Sequence, residues 1–382
     1  MRRLTRYAIL GLGVGACLLI AGVYLFIYET VSANPRVVGH VEDSEKLARA
    51  DGLDIKDGYA FIVGGNHFTV VDISNPAAPF IAWSMTDDQG RLDKAYGIDI
   101  SGNYAYLAVG YSGESDRLTV VDISHPTQPR IVSSLADHAN LDGALHIAVS
   151  GGYAYVSTPN SNGVSVVDVS NPAKPAVVGS VHDDIRLYAA DGIWAQGRYV
   201  FVVSHHMSGP GVDYFSAIDV SDPKNPVLLD SIGESYFRGG DQMYIIGNYA
   251  YVPGNSNNEP SSGHSLSIVD VSNPNGLKVV GHVTDSELIG SSCYVVAAGK
   301  LAYLTSSDNK RLTVVDVSDP TSPRVIDSVQ DKKYLPGPLY VQVSGKYAYV
   351  TSSGVFTIIN IDGIGSAPAA FLGRPLSAGN SA

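Results

Sequence analysis

Three carboxylates and one imidazole recur at matching places in this chain: Asp51, His146, Asp191 and Asp241 each lie just ahead of an aromatic-small-aromatic motif. If they converge, they make a cation site. Oxygen ligands of that kind suit Ca2+, although nothing in the pattern demands a cofactor. The plainer alternative is that Asp-Gly merely starts a strand after a turn. His205 and His206 stand side by side before Met207, and His264 closes another long loop after Glu259. Brought together, they could hold a transition metal or exchange protons; left in solvent, they would do neither. Arg91, Arg186 and Arg238 are candidates for an anionic ligand. No Ser-His-Asp order, nucleophile elbow or phosphate loop is legible, so no residue is assigned as catalytic.

What must position these side chains is a repeat. The stretch Leu118-Thr119-Val120-Val121-Asp122-Ile123-Ser124-His125-Pro126 returns as Phe68 to Pro76, Val164 to Pro172, Phe215 to Pro223, Leu266 to Pro274 and Leu312 to Pro320. A seventh, altered copy runs from Phe356 to Asp362, with Asn360 in place of the aspartate. Successive copies are 44 to 51 residues apart. A period of this size means an array of supersecondary units.

The second copy shows the unit clearly. Tyr96 to Ile100 reads as a short strand, Ser101-Gly102-Asn103 as a tight turn, and Tyr104 to Val109 as a second strand. Leu118 to Ile123 is the third strand. The prolines after it stop the ladder, because proline has no N–H to donate, and Arg130 to Leu135 is the fourth. Four antiparallel strands per repeat predict a propeller blade. The motif Tyr104-Ala105-Tyr106 is one of seven copies, so the fold class is all-β, a seven-bladed propeller. The first strands line the axis, and the aspartate column should ring its mouth. The repeated Asp72, Asp122, Asp168, Asp219, Asp270 and Asp316 are read as turn carboxylates that accept backbone N–H bonds.

The seventh copy lacks its fourth strand, and the other end of the chain supplies one. Val37 to Glu45 matches Val279 to Glu287, part of the fifth unit, at eight of nine positions. Residues 36–41 are therefore expected to complete blade seven and close the ring, removing two open sheet edges.

The chain of 382 residues divides into 1–34, the propeller at 35–363 and a flexible tail at 364–382. Arg2, Arg3 and Arg6 precede an uncharged run from Tyr7 to Tyr28, long enough to cross a bilayer. We read it as a retained signal anchor with its basic end inside and the propeller extracytoplasmic. Cleavage after Ala33 and lipidation at Cys17 are the alternatives. The Asn-Pro turns are then expected on the membrane side and the long loops away from it. The net charge of −12 argues against nucleic acid. The two cysteines, Cys17 and Cys293, imply no disulfide framework.

On the run Leu312-Thr313-Val314-Val315-Asp316 and the Asp-x-Ser-x-Pro that follows it, the chain resembles the LVIVD-repeat family of bacterial and archaeal surface proteins. The resemblance covers residues 36–362. It implies a propeller outside the cytoplasm and carries no catalytic residues. The expected function is a membrane-anchored binding platform with a protein or glycan partner at the loop face. The alternative is a hydrolase of lactones or esters using loop-face carboxylates and histidines.

Overall fold

The computed structural model describes residues 35–110, 116–205, 212–255 and 264–364. The anchor segment, His206 and most of the tail fall outside these residues. Among the described residues there is no α-helix, and no helix is long and apolar enough to cross a membrane.

Seven four-stranded antiparallel sheets succeed one another along the chain. Blades 1 to 6 span 52–86, 95–136, 147–182, 190–234, 244–284 and 292–330. Blade 7 takes three strands from 338–360 and its fourth from Arg36–Glu42. That fourth strand pairs antiparallel with Val355–Asn360, with Val37 opposite Ile359 and Glu42 opposite Val355. The predicted closure by residues 36–41 is present, and the strand runs one residue further, to Glu42.

Each unit folds this way for local reasons. Tight turns such as that at Gly102, with φ of 59°, need the left-handed backbone that glycine adopts without strain. The third strand ends where its aspartate folds back on the chain. Asp72, Asp122, Asp168, Asp219, Asp270 and Asp316 each accept the N–H two residues on, at 2.8 to 3.0 Å. Asn360 does the same with Asp362 at 2.7 Å, so the altered seventh copy keeps the turn. Every fourth strand then carries a β-bulge opposite the third, which increases local twist.

No blade has a core of its own. Among the described residues, seven apolar clusters occupy the seven junctions between neighbouring blades. Leu53 and Ile62 of blade 1, for example, pack with Tyr349 and Phe356 of blade 7. The small middle residue of each second strand, Ala60 through Ala348, is fully buried because the facing sheet lies against it. Stability of this kind is a sum of neighbour interfaces, and closure adds the last one.

A buried hydroxyl in the third strand ties the loop ahead of the first strand to the ring. Thr69 donates to the Lys46 carbonyl at 2.9 Å, Thr119 to Arg91 at 2.7 Å and Ser216 to Arg186 at 3.1 Å. This is what the threonine of the repeat does, and it holds the loops that form the mouth of the axis.

Candidate axial site

The first strands surround the axis, and the glycines at matching positions, Gly52, Gly97 and Gly192, show how closely. A Cβ on Gly52 would lie 2.4 Å from the Tyr96 carbonyl oxygen. One on Gly97 would lie 2.7 Å from that of Leu145, and one on Gly192 2.6 Å from that of Asp241. Each glycine therefore faces the backbone of the next blade, where no side chain fits. A glycine at this position lets neighbouring first strands approach at a tight inner radius.

Blade 3 has His146 at this glycine position, and the consequences spread through the mouth. The imidazole is 1% exposed. Its Nε2 lies 3.1 Å from Asp191 Oδ1, and its Nδ1 lies 3.4 Å from the Tyr340 hydroxyl. Tyr96 meets it edge-on at 5.4 Å between ring centres. Tyr294 and Tyr340 lie against each other, with ring centres 3.8 Å apart. On the other side of Asp191, Oδ2 is 3.2 Å from His205 Nδ1, which is itself 3.8 Å from Asp241 Oδ1. The chain of contacts runs Tyr340, His146, Asp191, His205, Asp241, across blades 7, 3, 4 and 5.

Electrostatics follow from this crowding. Burial opposes charge on His205, but the hydrogen bond and charge of Asp191, with the charges of Asp241 and Asp213, raise its pKa to about 9. Burial would raise Asp191, yet the imidazoles of His146 and His205 hold it below the ordinary carboxylate value. The Tyr96, Tyr294 and Tyr340 hydroxyls are all pushed up, chiefly by burial.

The structure thus brings His146, Asp191, His205 and Asp241 together. Asp51 is in the mouth but turned to its own ion pair, 3.0 Å from Arg49 Nε. Burial raises its pKa to about 6 against the pull of Arg49. Among the described residues His264 does not join the cluster. Its backbone is left-handed, with φ of 68°, and its carbonyl accepts the Asp285 N–H at 3.2 Å. His206 and Glu259 lie outside the described residues. Arg91 and Arg186 are engaged close at hand, by Asp87 at 2.5 Å and Asp183 at 2.6 Å, which leaves less of each guanidinium for an anion.

Two features escaped the sequence reading. The tyrosines were visible in the register but not as a wall around His146. A second group gathers where Asp116, just before the third strand of blade 2, meets His138 and Asp142 on the loop leading to blade 3. There Asp116 contacts the His138 imidazole and accepts the Gly143 N–H at 2.9 Å.

Below the mouth the axis widens into a cavity of about 340 Å3, lined by Asp54, Asp99, Trp194, Gln242, Tyr244 and Gln342 among others. Asp54 Oδ2 accepts the Ile100 N–H of blade 2 at 2.9 Å, and Asp99 Oδ2 accepts the Val149 N–H of blade 3 at 2.6 Å.

Comparison with known proteins agrees with the architecture. The LVIVD repeat matches residues 49–87, 93–137, 143–183, 189–233, 240–285, 289–331 and 340–372, one segment per blade. The chain belongs to the LVIVD repeat family. No curated protein matches this LVIVD-repeat propeller. Solved structures similar to it include a candidate 6-phosphogluconolactonase from Bacteroides uniformis, with TM-score 0.62 and 13% identity over 79% of this chain and 92% of that one. Hydrazine synthase from Kuenenia stuttgartiensis gives 0.59 and 14%, over 84% and 97%. The computationally designed Ika8 protein gives 0.58 and 8%, over 85% and 100%. A designed protein and two differently described natural ones fit about equally well, so the likeness is one of fold alone.

Proposed function

We propose that this LVIVD-repeat propeller is a membrane-anchored, extracytoplasmic binding platform whose ligand, on a protein or glycan partner, seats at the loop-face mouth of the axis. The observation that carries this reading is the convergence of His146, Asp191, His205 and Asp241 within 3.8 Å of one another along the chain of contacts. Polar groups gathered from separate blades on a rigid ring are the usual make-up of a recognition site. The anchor rests on Arg2, Arg3 and Arg6 ahead of the uncharged run to Tyr28.

Two measurements test it. In intact cells making the full chain, a membrane-impermeant lysine reagent should label the propeller, and the protein should sediment with membranes after a high-salt wash. Labelling only after lysis would reject the placement. On a glycan array, the wild-type chain should retain a ligand that Asp241→Asn loses; equal binding by both would reject the mouth as the recognition site.

The same cluster gives the hydrolase reading its support, since imidazole and carboxylate side by side can move protons. The side-chain contacts of His146, Asp191 and His205 described above are to imidazole, carboxylate and tyrosine. Assays with a chromogenic acetate ester and an aromatic lactone decide between the two. Turnover that Asp191→Asn abolishes would favour the hydrolase.

A further inference from the structure

We propose that Asp191, His205 and Asp241 hold one divalent transition-metal ion, zinc or manganese, with His146 as the group that orients Asp191. This rests on the reading of the axial mouth as the ligand-holding site, and it names the ion that site takes.

The donor atoms are already near coordination distance of one another. His205 Nδ1 is 3.2 Å from Asp191 Oδ2 and 3.8 Å from Asp241 Oδ1, and all three donors lie within 4.8 Å. Two donors bound at about 2.1 Å to a common ion stand about 3.0 Å apart at a right angle and about 3.4 Å apart at the tetrahedral angle. The first pair fits as it stands, and the second closes with a shift of a few tenths of an ångström. The three come from different elements. Asp191 opens the first strand of blade 4, His205 follows the second strand of that blade, and Asp241 precedes the first strand of blade 5.

The surroundings point to a ligand independently. Asp191 Oδ1 and His146 Nε2 are 3.1 Å apart, both sealed from solvent, and neither makes a well-aligned hydrogen bond. The Tyr294 hydroxyl, in a side chain 2% exposed, has no well-aligned partner beyond the neighbouring tyrosine hydroxyls, and it lies within reach of the Asp241 charge. Buried polar atoms without partners are costly, and a bound ion with its waters would satisfy them. Two carboxylates also cancel the charge of a divalent ion, which would otherwise be hard to place in so enclosed a site.

Donor chemistry selects the metal. An all-oxygen set would suit calcium, but one imidazole among two carboxylates shifts preference toward zinc or manganese. A ligating carboxylate is commonly fixed by an outer hydrogen-bond partner, the place His146 takes. Three protein ligands leave at least one coordination position open to water or to a donor on a partner.

The test uses the full chain, stripped with a chelator and titrated with Zn2+, Mn2+ or Ca2+ alone by calorimetry. One equivalent of Zn2+ or Mn2+ should bind, raise Tm, and bind at least tenfold more weakly to Asp241→Asn. His205→Gln provides a second variant should the first fold poorly, and Co2+ absorption reports the ligand set directly. Asp142→Asn, in the other acidic group, should leave that equivalent unchanged. Failure to bind either ion, or loss in Asp142→Asn with retention in Asp241→Asn, would overturn the proposal. So would Ca2+ binding more tightly than both. If neither ion binds and the chain still retains a glycan, the metal site fails while the recognition reading stands.

Discussion

Gly39, in the strand that closes the ring, packs against the carbonyl oxygen of Pro76 in blade 1: a Cβ on it would lie 2.0 Å from that oxygen. Gly281 stands in the same relation to Pro320 of blade 6, also at 2.0 Å. At the equivalent place in blade 2, Ser133 donates its hydroxyl to the Pro172 carbonyl at 2.6 Å. The bulged position of each of these fourth strands thus meets the proline turn of the next blade. Gly39→Val forces backbone apart at the closing junction and should cost about 1–3 kcal/mol, as overpacking does. Chemical denaturation should show a lower midpoint with an unchanged slope. A variant as stable as wild type would mean that the closing strand is not held at this turn.

Removing residues 36–41 leaves the third strand of blade 7 with an open edge and exposes part of the junction with blade 1. The expected outcome is a Tm lower by roughly 10 °C or more, accompanied by aggregation. A synthetic peptide of the same sequence, added in excess, should recover part of the loss.

Asp54 and Asp99 give the propeller a pH dependence of definite sign. Burial, then the charge of Asp99, raises Asp54 to about 7. Burial raises Asp99 to about 6. Lys56 pulls Asp54 the other way, and Tyr244 faces it across the cavity. Folded-state values above the unfolded value mean that the folded chain holds these protons more tightly. The stability they contribute is therefore full below about pH 4 and is lost as pH rises through about 6 to 7. Asp54→Asn carries no charge at any pH. Relative to wild type it should gain about 2 °C or more in Tm between pH 5 and pH 8.5. A pH-independent difference would rule out a raised Asp54.

Much of this was legible in the sequence because a repeat fixes register. The match of Val37 to Glu45 with Val279 to Glu287 encodes the bulged glycine and its proline-turn partner, so it gave away the closure. The column of first-strand residues likewise placed Asp191, Asp241 and His146 at one end of the axis. Register does not say which way a side chain turns. Asp51 was in the same column, yet Arg49 two residues earlier captures it. The sequence left open whether His264 meets His205; it ends its loop with a left-handed backbone and stands outside the cluster. Asp116, His138 and Asp142 lie on loops, where the repeat loses its period and spacing carries no geometry.

His146 is predicted to matter for folding as well as for binding. Its removal in His146→Ala leaves the buried Asp191 with one imidazole in place of two. Loss of one buried polar partner costs about 1–3 kcal/mol. Tyr340→Phe removes a hydroxyl only 3.4 Å from the ring and should cost about 1 kcal/mol. Denaturation of the metal-free chain checks both. Equal, small losses would indicate that His146 packs as an apolar ring and does not hold the carboxylate.

The turn aspartates should behave as independent repeats of one device. Asp316 accepts the Ser318 N–H at 3.0 Å and is bridged by Arg324 at 3.1 and 2.7 Å; Asp122 accepts Ser124 at 2.9 Å and is bridged by Arg130 at 3.2 and 2.9 Å. Asp122→Ala and Asp316→Ala should each cost about 1 kcal/mol, the usual worth of a turn or capping hydrogen bond. The two turns belong to blades 2 and 6 and share no partner, so the double variant should lose the sum within about 0.5 kcal/mol. Hydrogen bonding in these turns holds both carboxyls below the ordinary value, against the effect of burial. A depressed folded value means stability that is present above about pH 4 and lost as pH falls below it, so each variant should converge on wild type in acid. A double variant losing far more than the sum would mean that the turns are coupled through the ring, contrary to a structure in which blades 2 and 6 share no apolar junction.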